Sequence, residues 1–235
     1  VRYAIFFTPP AGDPLTLAAA SWLGRSVYSG DAVSHPMLRG LGLDEIAYHT
    51  AIPRRLGFHA VLRSPFRLDP EANEQGLLRA LMHFASGLEP FELPPLQIGR
   101  TGGCLGLFPQ RACAPIDLLA QAVVQAVEPF RSPLTEAEIE RRDPYSLTAA
   151  QLANLHRWGD PDVMDDFRFH MPLTDSLRGA DTARFERVMT HHFAPVLGGA
   201  VAVRNLALFI EREAGAPFVV HSLHPMGRIA ARQIA

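Results

Sequence analysis

The run Gly57-Phe58-His59-Ala60-Val61-Leu62 has a counterpart in Phe167-Arg168-Phe169-His170-Met171-Pro172-Leu173, with 111 residues from one histidine to the other. Each run is apolar and strand-like, and alternate residues of a strand share one face. His59, Val61 and Arg63 then line up, as do His170, Pro172 and Thr174. Phe58, Ala60 and Leu62, or Phe169, Met171 and Leu173, turn to the opposite layer. A lone histidine in such a place is usually a satisfied structural residue. Two in equivalent places argue for a shared site, because one imidazole can remove a proton while the other donates one near neutral pH. That pairing suits attack on a phosphodiester. The sequence alone leaves open which histidine is the acid and which the base.

Working outward, the surroundings of the two runs also repeat. Residues 3–8 read as a buried strand ended by Pro9-Pro10, and Asp13-Pro14 opens a helix with the apolar stripe Leu15, Ala18, Ala19, Trp22 and Leu23. Residues 29–55 show no sustained period and are broken by glycine and proline, which predicts loops or short pieces. After the first histidine run, Asp69-Pro70 predicts a helix carrying Leu77, Leu78, Leu81 and Phe84 up to Gly87. Strands at 90–99 and 103–109 follow, joined at Thr101-Gly102-Gly103. The second half repeats the order: a histidine strand over 166–174, a helix over 181–197, then strands at 201–211 and 217–222. The distance from histidine to the first strand of the final pair is 32 residues (His59 to Phe91) in one half and 31 (His170 to Val201) in the other. Such a match is the mark of a duplication.

Between the halves, residues 115–128 predict an apolar helix. Thr135-Glu136-Ala137-Glu138 and Thr148-Ala149-Ala150-Gln151 fit capping boxes for two shorter helices. This insert is too apolar for a flexible linker. The expected architecture is α+β and bilobal, with two pseudo-symmetric antiparallel sheets lining a central cleft and helices outside. All 235 residues are read as one bilobal domain. The first lobe draws mainly on 1–110, the insert and second lobe on 111–235, with strands free to exchange between lobes.

Composition narrows the function classes. Lys plus Arg total 22 against 24 Asp plus Glu, a formal net charge of -2, which argues against bulk attraction to long nucleic acid or to an anionic membrane. A local phosphate site is compatible with that balance. The two cysteines, Cys104 and Cys113, lack metal-ligand spacing and fit a reducing compartment. The apolar opening run is too short for a signal core or a membrane span, so a cytoplasmic location is expected. No His-Glu-x-x-His motif or carboxylate-rich set points to a metal, and Gly102-Gly103 lacks the lysine and helix of a phosphate-binding loop. No cofactor and no protein partner is predicted.

Around the histidines, Arg63 is the nearest electrostatic partner for a phosphate, since guanidinium grips two oxygens and stays charged. Thr174 is a weaker phosphate-binding candidate that also suits a strand end. Arg54 and Arg55, with Arg67, would widen a positive cleft, and Arg168 would join them if the strand twists. Arg141-Arg142 reads as a solvated helix face. Tyr3 and Phe7 are core candidates, with Tyr3 a possible stacking surface for a base. Val61 and Pro172 stand two residues beyond each histidine, where a hydroxyl would have helped hold a phosphoryl oxygen. Pro172 also lacks an N–H, which places it at an edge or a bulge.

These residues resemble the LigT-like, two-histidine phosphoesterase superfamily, whose signature is a pair of His-x-Thr/Ser-x strands. The closer resemblance is to a bacterial branch of unknown function associated with phosphonate-metabolism operons. It is carried by Trp22-Leu23-Gly24-Arg25, by residues 53–63, by Pro65-Phe66-Arg67-Leu68, by Phe130-Arg131-Ser132-Pro133-Leu134, by Trp158-Gly159 and by Phe167-Arg168-Phe169-His170-Met171. The resemblance implies His59 and His170 as the catalytic pair, with Arg63 on the position of the family's usual lysine. Its hydroxyl residues fall on Val61 and Pro172, so the motif is degenerate at both. The expected function is a metal-independent phosphodiesterase acting on a small cyclic or linear phosphodiester, in keeping with phosphonate metabolism. Its expected partner is a small phosphorylated metabolite or a nucleotide-like ligand. The alternative is a non-catalytic phosphate-ligand binder or regulatory protein that retains the two histidines.

Overall fold

Tyr3, Ile5 and Phe7 alternate with Ala4 and Phe6 along β1 (Arg2–Phe7), and all five are buried, so this strand is covered on both faces. The computed structural model describes residues 1–227. After β1 comes α1 (Pro14–Leu23), whose first turn is held by the Asp13 carboxylate accepting from the Leu15 N–H at 2.8 Å. The stretch expected to be loops contains two short helices, α2 (Leu43–His49) and α3 (Ala51–Leu56). They are too brief to show a helical period, which is why the sequence hid them. β2 (Ala60–Phe66) begins one residue after His59.

α4 (Glu74–Ser86) is capped by Asn73, whose side chain accepts from the Gly76 N–H, while Asp69 instead accepts from Glu71 in a preceding turn. Pro94-Pro95 then splits the next expected strand into β3 (Phe91–Leu93) and β4 (Leu96–Thr101), and β5 (Cys104–Pro109) follows. The insert supplies α5 (Ala114–Val127), α6 (Glu136–Glu140) and α7 (Ala149–Trp158), the last two opened by the capping boxes at Thr135 and Thr148. The expected strand over 166–174 shrinks to β6 (Met171–Pro172), because Pro172 has no N–H to continue the ladder. α8 (Ala180–Phe193), β7 (Val201–Val203), β8 (Asn205–Glu211) and β9 (Val219–Pro225) complete the described chain.

All strand pairs are antiparallel, giving an α+β fold with a four-stranded sheet, β2-β1-β8-β9, a three-stranded sheet, β4-β5-β6, and the pair β3-β7. Each larger sheet combines the strand that follows a histidine in one half of the sequence with the hairpin that ends the other half. β2 and β6 lie against each other, which carries both histidine segments to the place where the two sheets meet.

One face of the four-stranded sheet carries Tyr3, Ile5, Phe7, Leu206, Leu208 and Ile210 into the main core with α1, α4, α5 and α8. The other face holds a smaller cluster of Ala4, Phe6, Ala207, Phe209 and Phe218. Phe58, Ala60 and Leu62, with Phe169, Met171 and Leu173, enter the main core as their alternation requires. Trp22 on α1 donates its indole N–H to the Leu173 carbonyl at 2.9 Å, tying the main core to the second histidine segment. At Gly106 a Cβ would stand 2.5 Å from the Met171 carbonyl oxygen, so a glycine is what lets β6 lie this close to β5. No helix among the described residues is long and apolar enough to cross a membrane.

Candidate functional site

The two histidines are held by the same local device. His59 Nδ1 donates to the Gly57 carbonyl at 2.8 Å, and His170 Nδ1 donates to the Arg168 carbonyl at 2.9 Å, each reaching two residues back. A carbonyl only accepts, so the contact places a proton on Nδ1 and leaves Nε2 as the nitrogen able to accept one. At Gly57 the backbone has φ 84, and a Cβ there would sit 2.2 Å from the Val27 side chain. Glycine therefore allows the turn that swings its carbonyl under His59.

Their environments differ. His59 is fully buried, its ring 4.2 Å from that of Phe6, and its Nε2 has no hydrogen-bond partner among the described residues. Burial pushes its pKa down to about 4 against the opposing effect of the Gly57 carbonyl, and the charge of a protonated His170 lowers it further. β2 and β6, which start directly after the two histidines, lie against each other. His170 is half-buried and stacks on Phe108, with ring centroids 5.5 Å apart and planes 12° apart. Phe108, Arg168 and Phe169, which surround it in space or sequence, line a cavity of about 630 Å³ that Arg100 and Arg111 share.

Four residues that the sequence marks as binding candidates take other places. Tyr3 lies on the core face of β1, donates to Glu74 at 2.5 Å and packs its ring 6.4 Å from that of Phe66. Burial and the Glu74 carboxylate push its pKa up to about 12. It is not a stacking surface in the site, and Phe6, one residue out of phase, is the aromatic that meets His59. Thr174 is buried, and its hydroxyl accepts the Leu105 N–H at 2.9 Å while the Leu173 and Thr174 amides both donate to the Leu105 carbonyl. These bonds continue the pairing that Pro172 interrupts, so the hydroxyl serves the strand and not a phosphate. Arg54 donates to the Ala47 carbonyl at 3.1 Å, and Arg55 pairs at 2.9 Å with Glu211, a carboxylate that Arg2 also holds. Both are occupied in joining α3 to its neighbours.

Val61 is half-buried against the smaller apolar cluster, and Pro172 pairs with Gly106, so neither offers a donor to an oxyanion. Arg63 is buried to 1% exposure, with Nη2 on Glu128 at 3.1 Å. Its Nε and Nη1 are buried without a partner among the described residues. Burial pushes its pKa down to about 10, with Glu128 opposing and Arg131 adding to the shift, so it stays charged at neutral pH. Sequence reasoning missed the company Arg63 keeps: Arg131, Arg141 and Arg142 come from the insert to the same cavity. The signal is faint, because of the three only Arg131 lies in a recognisable motif, Phe130-Arg131-Ser132-Pro133-Leu134, and the face of the other two depends on how α6 docks. Among the described residues no group of three or more His, Cys, Asp or Glu side chains could hold a metal ion.

Known proteins resemble this chain at three levels. The family described as "Protein of unknown function (DUF1045)" matches residues 61–219. A protein of Janthinobacterium sp. (strain Marseille) named "Ribose 1,5-bisphosphate phosphokinase PhnN" is 35% identical over 222 residues, covering 93% of this chain and 49% of its own length. A protein of the same name from Laribacter hongkongensis (strain HLHK9) is 31% identical over 218 residues, covering 93% of this chain and 50% of its own. The chain thus spans about half the length of the curated relatives it matches. Two solved structures, one described as a phosphoesterase and one as E. coli LigT complexed with 3'-AMP, superpose with TM-scores of 0.44 and 0.42 at 12% identity. Each covers 96% of this chain and 98% of its own.

Proposed function

The chain belongs to the DUF1045 family, and from its two histidines, each with Nε2 left as the proton-accepting nitrogen, we propose that it is a phosphodiesterase acting on a diester of a small phosphorylated sugar. The observation that carries this reading is the repeated Nδ1 contact, which leaves the same nitrogen of each imidazole without a proton, on two segments whose following strands lie against each other. His59, kept neutral by burial, is suited to take a proton from water as its oxygen attacks phosphorus. His170, in contact with solvent, is suited to give a proton to the departing sugar oxygen. A P–O bond to water forms, the P–O bond to the alcohol breaks, and a monoester remains.

The relatives' name gives the substrate a direction. A diesterase in the same reaction sequence as a kinase of ribose 1,5-bisphosphate supplies that compound when it opens a cyclic or linear diester at the anomeric phosphate of a ribose 5-phosphate. This links the chain to phosphonate metabolism, the setting its sequence resemblance implies. The test is a 31P NMR screen of cyclic and linear diesters, with and without a 5-phosphate, against the double variant His59→Ala/His170→Ala. Turnover by the native chain and none by the variant is the expected result; turnover that survives loss of both histidines overturns it.

A second reading, a phosphate-ligand binder without turnover, is favoured by the full burial of His59 and by the missing donors at Val61 and Pro172. One oxyanion donor contributes about 2 to 4 kcal/mol to a transition state, a factor of roughly 30 to 1000 in rate. Val61→Thr separates the readings, since an active site short of a donor gains rate and a binding protein does not.

A further inference from the structure

Six arginines, Arg2, Arg63, Arg67, Arg131, Arg141 and Arg142, line one cavity of about 200 Å³ whose only acidic wall residue among the described residues is Glu138. The neighbouring carboxylates are already shared. Glu128 accepts from Arg63 at 3.1 Å and from Arg131 at 2.6 Å, Glu138 is held by Arg67, and Glu211 by Arg2 and Arg55. Even with Asp160, whose charge reaches Arg63, four carboxylates oppose six guanidinium groups around the cavity.

The arginines are placed by the fold. The bridge between Leu68 and Arg131 and the bonds from Ser132 N–H to the Arg67 carbonyl and from Ser132 Oγ to the Leu68 carbonyl, both 2.9 Å, zip the insert onto the end of β2. Gly159 ends α7 at φ 72, and a Cβ there would lie 3.0 Å from Arg131 Nη1, so glycine leaves room for the guanidinium. Arg63 is the strongest indication of a ligand: it is almost wholly buried, lines the cavity, and keeps two nitrogens unpartnered among the described residues. Burying donors without acceptors is costly, and an anion removes that cost. The cavity and the surroundings of His59 draw on the same two strands, β1 and β2. Arg2 shares a face of β1 with Phe6, which packs on His59, and Arg63 stands four residues beyond His59, about 13 Å of extended chain; a shift in the β1–β2 register pairs Val61 with Phe6 but Arg63 with Ile5, so Arg63 does not line up with His59 and Val61 as simple alternation predicts.

We infer that this cavity is a second anion subsite, which seats a terminal phosphate monoester of the substrate apart from the phosphodiester at the histidines. The inference rests on the diesterase reading for the molecule that brings the phosphate. A small concave chamber walled by guanidinium groups fits one dianionic phosphate, for which bidentate arginine contacts are well suited, and the net charge of -2 argues against a broad polyanion surface.

The test is calorimetric titration of the full chain with ribose 5-phosphate and with ribose, in the native protein, in His59→Asn/His170→Asn, in Arg63→Met and in Arg141→Gln/Arg142→Gln. Ribose 5-phosphate binding is expected to survive in the histidine variant and to weaken by about tenfold or more in Arg63→Met, the cost of a charged contact. A smaller loss is expected in the exposed double arginine variant, which keeps the test valid should Arg63→Met fail to fold. Absence of binding by the native chain, unchanged binding in the arginine variants that fold, or equal affinity for ribose overturns the subsite. Turnover of diesters with and without a 5-phosphate at the same KM also overturns it and leaves the diesterase reading standing. Arginine-dependent binding by a chain that turns over no diester supports the subsite and counts against the diesterase.

Discussion

The segments around His59 and His170 share one hydrogen-bond geometry and live in opposite surroundings. Both rings donate Nδ1–H to the carbonyl two residues back. One then lies against Phe6 with no exposure, and the other stacks on Phe108 at the edge of a large cavity. A duplicated local motif therefore yields two different imidazoles, because burial is set by what the rest of the chain lays over each strand. Asymmetry of this kind suits a reaction that needs one proton acceptor and one proton donor.

The largest expected effect breaks the pair. Asparagine at either His59 or His170 should lower diesterase rate by about 100- to 10,000-fold, the range for a positioned acid or base, as read by 31P NMR initial rates. A loss confined to one variant would leave only one of the two segments in the chemistry.

Stability against pH compares the segments without any substrate. The folded pKa of His59, about 4, lies below its unfolded value of about 6.5, so the unfolded chain binds more protons between those limits. The stability that neutral His59 retains is complete above pH ~6.5 and is lost as pH falls toward 4, by at most about 3 kcal/mol. Urea titrations across that window should show the slope, and His59→Gln should flatten it. An unchanged slope in the variant would mean that another group titrates there.

A smaller effect distinguishes how the two strands are built. Thr174→Val leaves the buried Leu105 N–H without its hydroxyl acceptor and should cost about 1 to 3 kcal/mol in chemical denaturation, with little change in substrate KM. A large KM change would return Thr174 to the phosphate site. The smallest shift concerns the stacking partners: Phe108→Leu should cost about 0.5 to 1.5 kcal/mol and move the His170 ring resonances in NMR, leaving those of His59 in place.

Much of this is legible in the sequence where local rules act alone. Apolar alternation puts Phe58, Ala60, Leu62, Phe169, Met171 and Leu173 into the core, and the capping boxes at Thr135 and Thr148 open α6 and α7. Other positions require the partner strand or helix. Tyr3 and Phe6 lie on opposite faces of β1, and periodicity cannot say which of its two covered faces meets the histidine. Asp69-Pro70 carries a cap signal, yet Asn73 wins because its side chain reaches the Gly76 N–H at 2.8 Å. Arg54 and Arg55 are charges without a visible counterpart until the fold brings the Ala47 carbonyl and Glu211 beside them.

The sequence by itself determined the repeated histidine runs, the α+β order of elements and the absence of a hydroxyl at Val61 and Pro172, since these depend on residue type and spacing. Only the tertiary structure decided that His59 is buried while His170 meets solvent, that Thr174 closes a strand, and that six distant arginines converge on one cavity. The physical reason is that desolvation and charge pairing depend on neighbours far apart in the chain, and no local pattern records them.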